Sequence, residues 1–142
     1  MADLLKSNFT IIDQDDQNRL IKNICKAENI DIKKISPKYI LAIIDKWKNK
    51  GFYPEDVILK RNETFERNFL NIYKIYQQKL IDLNSADFSD LILHTVKIFA
   101  NYSDIALIYS KKFKYVLVDE YQDTNFIQSE WLKYLSATNL NI

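Results

Sequence analysis

The chain has 142 residues, of which 47% are hydrophobic, so it is long enough for one domain with a substantial core. Twenty Lys and Arg residues balance nineteen Asp and Glu residues, and a net charge of +1 does not predict an overall nucleic-acid binder. A single glycine excludes the phosphate-binding loops GxxxxGK[ST] and GxGxxG from this sequence, because each needs at least two.

A reduced, cytoplasmic location is the default prediction for this composition. Cys25 is the only cysteine, so no disulfide forms within the chain. It lies on the apolar face of a predicted helix, where it would be a small buried side chain. No apolar run approaches the roughly 18 to 20 residues that a membrane span needs, and we expect no membrane partner.

Two helices are predicted in the first third of the chain by their end signals. Asp13 is a suitable N-cap for an amphipathic helix that runs to about residue 28. The second helix has Ser36 as its N-cap, Pro37 at its first position and Gly51 just after its end.

The middle of the chain predicts three further helices. From Asn62 to about Leu83, apolar residues recur at spacings of three and four, as on one face of a long helix. Asp87 is the predicted N-cap of the next helix, whose inward residues would be Leu91, Ile92, Thr95, Ile98 and Phe99. A short helix through residues 105–108 follows.

The last part predicts a strand, a loop and a helix. Residues 115–118, YVLV, are apolar without alternation, which favours a short strand buried on both faces, as in a parallel sheet flanked by helices. Asn125 would cap a final helix with Phe126, Ile127, Trp131 and Leu135 on its inward face. The predicted fold class is mainly α: a helical bundle with one short strand-loop-helix unit, the change falling near Lys111.

Acidic residues directly follow the predicted strand. An apolar strand that ends in Asp119 and Glu120 has the pattern of a Walker B element, in which the Asp holds Mg²⁺ and the Glu polarises the attacking water. The alternative is that Asp119, Glu120 and Asp123 are solvated carboxylates near the positive end of the next helix. Two adjacent acids alone do not decide between these hypotheses.

The longer string VLVDEYQDTN, with Gln128 after it, resembles motif II of the UvrD, Rep and PcrA type of superfamily 1 DNA helicases, hhhDE[YF]QDTNxxQ. FTIIDQDDQNRLIK at 9–22 and ADFSDLI at 86–92 resemble the family segments F-x-I-x-D-x-x-D-Q and LDFDDLL. The resemblance covers nearly the whole chain. It implies that residues 1–85 are the helical insertion called subdomain 1B and that residues 86–142 return to the P-loop NTPase core, subdomain 1A.

The resemblance also implies a role for each acidic residue. Asp119 would bind Mg²⁺ and Glu120 would be the catalytic base. Gln122 and Asp123 would link the bound nucleotide to neighbouring motifs and DNA. The parent protein would be an ATP-dependent DNA helicase with Mg²⁺ and ATP as cofactors, moving 3′ to 5′ along single-stranded DNA in replication or repair.

Several family motifs have no counterpart in this sequence: the Walker A loop, the GDxxQ-type motif, the arginine fingers and the second motor domain. We therefore expect a fragment of a longer helicase that neither hydrolyses ATP nor binds it tightly by itself. The other hypothesis is a stand-alone helical DNA-binding or protein-interaction module derived from a helicase. Since its parallel neighbours would lie elsewhere, the strand at 115–118 would be covered by its own helices, pair with another molecule or be poorly ordered.

Lysines outnumber acids by six to one between Lys33 and Lys50. One hypothesis is that they contact DNA phosphates, and the alternative is an ordinary solvated lysine face. The candidate DNA contacts are Lys38, Lys46, Lys48 and Lys50. His94 has no second histidine or thiol cluster near it in the sequence, which favours a core histidine over a metal ligand.

Overall fold

A computed structural model describes residues 5–32, 35–59 and 64–138 of the chain. Within these ranges the fold is mainly helical, as predicted, with six α-helices and one short pair of strands. The elements are β1 (Thr10–Ile11), α1 (Gln14–Ala27), α2 (Pro37–Asn49), α3 (Thr64–Asp82), β2 (Ser85–Ala86), α4 (Phe88–Asn101), α5 (Ser103–Lys112) and α6 (Phe126–Ser136). The helix start predicted at Asn62 lies outside the described residues.

Four helices begin at the predicted N-caps. The side chains of Asp13, Ser36, Asp87 and Asn125 each accept a hydrogen bond from the backbone N–H three residues further on. Such a bond satisfies one of the donors that a helix start leaves unpaired, and its loss costs about 1 kcal/mol. Gly51 follows the end of α2 with a φ of 80°, as its predicted role requires.

The largest core lies between α1, α2 and α3. Cys25 is fully buried there, and the apolar stripe of α3 faces inward, as predicted. Leu83 lies past the end of α3 and is 61% exposed, so it does not belong to that stripe. The buried residues of this core are Ile21, Ile24, Cys25, Ile40, Leu41, Ile44, Phe69, Ile72, Tyr73, Tyr76 and Leu80.

Helix α4 packs only partly through the predicted face, since Phe99 is buried as predicted but Ile98 is not. Its buried residues include Leu93 and Phe99 together with the polar Asp90 and His94, whereas Ile98 is 38% exposed. Because α4 carries apolar residues on most sides, periodicity does not select one face, and the contacts of its polar residues do. None of the described helices alone is long and apolar enough to cross a membrane; α4 and α5 meet that test only as a pair bent by 113°.

A two-residue parallel strand pair joins the N-terminal segment to the start of α4. Thr10 pairs with Ser85 and Ile11 with Ala86. The Ile12 N–H also donates a hydrogen bond to the Ala86 carbonyl at 2.9 Å. Sequence periodicity did not predict this pairing, because two residues are too short to show alternation.

The prediction of a strand at residues 115–118 is wrong. This segment has no regular secondary structure, and it pairs with no strand among the described residues, where β1 and β2 pair only with each other. Val116 packs against the core of α4, α5 and α6, while Tyr115 is 74% and Leu117 96% exposed. The segment is therefore covered on one side only. It forms no sheet with the described residues, because a sheet needs a neighbouring strand that pairs with its backbone.

Candidate functional site

The acidic segment is a tight turn between residues 115–118 and α6. Glu120 has φ 51° and ψ 44°, in the left-handed region, and a one-turn 3-10 helix follows at Tyr121–Asp123. The Asp119 carboxylate accepts a hydrogen bond from the Glu120 N–H at 2.9 Å, and the Asp123 N–H donates to the Glu120 carbonyl at 2.9 Å. A left-handed residue other than glycine is strained by roughly 1–2 kcal/mol, and such strain often occurs at functional sites.

The turn brings three predicted site residues to one groove. Asp119, Glu120 and Asp123 line an open groove of about 430 Å³ whose other walls include Ile92 of α4 and Trp131 of α6. All three acidic residues are exposed. The side-chain amide of Gln122, the fourth predicted residue, donates a hydrogen bond to the Glu120 carboxylate.

The chemistry of the groove suits a magnesium ion that is bound jointly with another molecule. None of the ion pairs between described residues involves Asp119, Glu120 or Asp123, so their oxygens are not taken by a protein cation. In the same residues, no three His, Cys, Asp or Glu side chains form a ready metal cage. Mg²⁺ commonly uses one or two carboxylates together with waters and substrate phosphates, and this groove fits that mode of binding.

Two further residues of the motif fix the start of α6 behind the groove. The Asn125 side chain accepts from the Gln128 N–H at 3.0 Å, and the Gln128 side chain accepts from the Asn125 N–H at 3.0 Å. This reciprocal pair is a capping box. Asn125 is the predicted cap, whereas the role of Gln128 was not predicted, although the N-x-x-Q spacing could have indicated it.

The four candidate DNA-binding lysines do not share one environment. Lys38, Lys46 and Lys50 are exposed. Lys46 and Lys50 border a shallow groove between α2 and the start of α6, together with Phe126, which is 59% exposed although predicted to face inward.

Lys48 is not a surface residue, and its predicted contact with DNA is wrong. Its side chain is 0% exposed, and its ammonium lies 2.6 Å from Asp87 Oδ2 and 2.8 Å from Asp90 Oδ1. The ammonium therefore forms ion pairs inside the fold and is not available to contact DNA. Its spacing of seven and four residues from Leu41 and Ile44 could have placed it on the buried face of α2.

Hydrogen bonds from α3 complete the surroundings of these carboxylates. The Tyr76 hydroxyl donates to Asp87 at 3.0 Å and the Gln77 amide donates to Asp90 at 3.1 Å. Burial pushes the pKa of the Asp87 carboxyl upward, but the charge and hydrogen bond of Lys48, with the Asp90 N–H and Tyr76, hold this pKa below its usual value.

His94 is a core histidine, as predicted. Its Nδ1 lies 2.6 Å from the Tyr53 hydroxyl and its Nε2 lies 3.8 Å from Asp90 Oδ1. Burial raises the pKa of Tyr53, so the hydroxyl that pairs with Nδ1 is neutral. Both ring nitrogens thus face partners within the fold.

A mainly helical chain whose acidic turn has the sequence DEYQD is typical of one class of protein. The chain matches the UvrD/REP helicase N-terminal domain over residues 2–142, and it belongs to that family. This confirms the resemblance to UvrD-type helicases.

Individual relatives are similar to this chain along nearly all of its length. A probable DNA helicase II homolog from Rickettsia conorii is 40% identical over 139 residues, which is 97% of this chain and 21% of that protein. The ATP-dependent DNA helicase PcrA of Staphylococcus epidermidis is 39% identical over 138 residues, 97% of this chain and 19% of that protein. PcrA of Bacillus subtilis is 38% identical over 138 residues, with the same coverage, 97% and 19%. The chain thus spans about a fifth of the length of these relatives.

Proposed function

We propose that this chain is the part of an ATP-dependent DNA helicase that supplies the Mg²⁺ carboxylate and the catalytic base of the ATP site. The observation that carries the proposal is the convergence of Asp119, Glu120 and Asp123 on one groove in a chain whose relatives are named DNA helicases. In this assignment residues 1–85 correspond to subdomain 1B and residues 86–142 to part of subdomain 1A. The parent protein would move 3′ to 5′ along single-stranded DNA.

Each acidic residue has a distinct task in this proposal. Asp119 would hold Mg²⁺, which neutralises phosphate charge when bound. Glu120 would accept a proton from the attacking water, and the open groove lets water reach its carboxylate. Gln122 donates to one Glu120 oxygen and leaves the other free to act as the base. Asp123, on the same groove, would join the nucleotide site to neighbouring motifs.

The isolated chain should not hydrolyse ATP. Phosphoryl transfer depends on positive groups that surround the phosphates, and the residues lining this groove include carboxylates but no Lys or Arg. Without a cation from elsewhere, the groove repels a triphosphate. The rest of the helicase would supply the missing positive charges.

A chimaera tests this proposal directly. The segment of Bacillus subtilis PcrA that aligns with this chain is replaced by residues 2–142, and DNA-stimulated ATP hydrolysis is measured. We expect the chimaera to hydrolyse ATP and Glu120→Gln to reduce its turnover by at least about 100-fold, within the range for loss of a catalytic base. Glu130→Gln is the matched control, because Glu130 forms a surface ion pair with Lys133 on α6. Equal activity of the Glu120→Gln and Glu130→Gln chimaeras would refute the assigned role.

DNA contacts are proposed for the three exposed lysines only. Lys46 and Lys50 lie one helical turn apart beside the exposed ring of Phe126, so a phosphate and a base could be contacted together. Lys38 lies beside Arg19 and Lys22 at a second groove.

Each contact with a phosphate should contribute about one unit to the slope of log affinity against log salt concentration. An unchanged slope in the Lys46→Ala/Lys50→Ala chimaera would show that these lysines only face solvent.

A further inference from the structure

A buried ion cluster connects α2, α3 and α4. We call it the Lys48 cluster, and it consists of Lys48, Asp87, Asp90, Tyr76 and Gln77. Lys48 and both aspartates are 0% exposed as whole residues. The ammonium of Lys48 contacts both carboxylates and also lies 5.2 Å from the centre of the Tyr76 ring. Three helices thus meet at one cation.

The formal charge of the cluster explains why Lys48 is needed. One ammonium faces two carboxyl groups, so the formal sum is −1, and removal of Lys48 changes it to −2 in a site without water access. The start of α4 supplies the remaining compensation: the Asp87 side chain accepts from the Asp90 N–H at 2.8 Å, and the Asp90 side chain accepts from the Asp87 N–H at 3.3 Å. Unpaired charge in the interior is strongly unfavourable, so loss of Lys48 would force the start of α4 to move.

We call the open groove lined by Asp119, Glu120 and Asp123 the carboxylate groove, and the position of α4 determines one of its walls. Leu93 of α4 shares a buried cluster with Ile127 of α6, and Ile92 lines the groove itself. The end of α2 also meets α6, because a Cβ atom at Gly51 would lie 3.2 Å from Ile127 Cδ1. Contacts therefore run without a gap from Lys48 to both sides of the groove.

We infer that Lys48 is a positioning residue for the carboxylate groove: its ion cluster fixes α4 against α2 and so sets the wall that faces Asp119 and Glu120. Lys48 touches neither acidic residue, and its role is exerted through α4 and α6. The consequence for metal binding rests on the proposed function. The geometric coupling between the Lys48 cluster and the groove does not depend on the proposed function.

The two tryptophans of the chain allow the coupling to be measured by NMR. Trp47 stacks on Tyr73 beside the cluster, with ring centres 5.7 Å apart, and Trp131 lines the groove. In the whole 142-residue chain, Lys48→Met should shift the indole signals of both tryptophans and the amide signals of residues 119–123. Lys74→Met is the matched control, because Lys74 is an exposed lysine on α3, and it should leave Trp131 and residues 119–123 unchanged. A folded Lys48→Met chain with wild-type signals at Trp131 and residues 119–123 would overturn the inference.

Two more variants decide the matter if Lys48→Met does not fold. Lys48→Met/Asp87→Asn restores the formal charge of −1 and keeps an N-cap, since Asn serves as well as Asp there. We expect it to fold and to regain the wild-type Trp131 signal. Lys48→Arg keeps the charge but changes its shape, and it should shift residues 119–123. Failure of the double variant to regain that signal, or shifts in Lys48→Arg confined to α2, α3 and the first turn of α4, would overturn the inference.

Addition of Mn²⁺ separates the inference from the proposed function. Mn²⁺ is a paramagnetic probe that prefers the same oxygen ligands as Mg²⁺, and it should broaden the amide signals of residues 119–123. We expect an apparent affinity at least about tenfold lower in Lys48→Met, which corresponds to 1.4 kcal/mol, and no change in Lys74→Met. Absence of broadening in the wild-type chain would refute metal binding by these carboxylates alone, while the Trp131 shifts still decide the positioning role.

Discussion

His94 lies between two partners in the interior of the chain. Its ring stacks on that of Tyr53, with centres 5.6 Å apart, and its second nitrogen points toward Asp90. Burial lowers the pKa of His94, because the charged ring would lose its hydration. The Asp90 and Asp87 carboxylates act in the opposite direction, and the Lys48 ammonium reinforces the effect of burial. The folded chain therefore resists protonation of this ring.

Protonation of His94 should make folding pH-dependent in weakly acidic solution. The unfolded chain takes up a proton near pH 6.5, about the ordinary histidine pKa, whereas the folded chain takes it up only at lower pH. The contribution to stability is thus complete above the unfolded pKa and is lost as pH falls toward the folded pKa, by at most about 1.4 kcal/mol per pH unit. Urea unfolding between about pH 5 and pH 7.5 measures this slope.

His94→Gln provides the comparison, since it removes the only histidine and keeps an acceptor for Tyr53. Subtraction of the two profiles cancels the contribution of other groups, such as Asp45, whose pKa is raised chiefly by burial. We expect the slope near pH 6 to be smaller in the variant. Parallel profiles would show that His94 titrates equally in the folded and unfolded chain.

At the scale of elements, the end of α2 fits closely against the start of α6. Gly51 has a φ of 80°, and a side chain there would meet Ile127 at 3.2 Å and Phe126 at 3.7 Å. Two separate conditions thus require glycine: the backbone is left-handed, and the space beside it is filled. Only the first of them is general for helix ends.

Gly51→Ala should lower the free energy of unfolding by at least about 1 kcal/mol, because alanine in the left-handed region is strained and its Cβ crowds Ile127. Ile127→Val removes the crowded Cδ1 atom. We therefore expect the loss in free energy of unfolding of the Gly51→Ala/Ile127→Val chain to be smaller than the sum of the two single losses. A double-mutant cycle by urea unfolding measures this difference. Strict additivity would mean that backbone strain alone accounts for the loss.

Local signals made the helix starts and the site residues predictable. Asp13, Ser36, Asp87 and Asn125 act on backbone three residues away, so their effect is contained in a short stretch of sequence. The motif from Asp119 to Asp123 is equally local, and the structure brings its carboxylates to one groove. Local sequence was sufficient for these features.

Non-local contacts account for the predictions that failed. The burial of Lys48 depends on Asp87, 39 residues further along the chain, and a lysine-rich helix face gives no sign of that partner. The predicted inward face of α4 was only partly correct for the same reason, since Phe99 is buried but Ile98 is exposed. The strand expected at residues 115–118 needs a neighbour that is not among the described residues. Each failure concerns which distant group a residue meets.

For the whole molecule, the segment at residues 113–118 exposes three large apolar side chains. Leu117 is 96%, Tyr115 74% and Phe113 43% exposed. Val116, between them, packs with Phe99, Ala106 and Leu135. A segment outside the strand pair, with apolar side chains on its open side, can accept another strand. We propose that the rest of the helicase covers it in the parent protein.

In the isolated chain, this open side should promote self-association. Sedimentation velocity at increasing concentration should detect it in the wild type, and Leu117→Lys should reduce it with little change in the free energy of unfolding, since Leu117 is 96% exposed. Val116→Lys is the contrasting variant and should destabilise the fold, because Val116 contacts the core. A wild-type chain that stays monomeric throughout would contradict this prediction.

The parallel pairing of residue 10 with residue 85 also constrains how the chain can be synthesised and trimmed. The ribosome must release the start of α4 before the N-terminal segment can pair with it and before the ammonium of Lys48 can meet its carboxylates. Closure of so long a loop is a late event in folding. We therefore expect a polypeptide that stops at residue 85 to be prone to proteolysis, and the smallest stable piece to extend beyond Asp90.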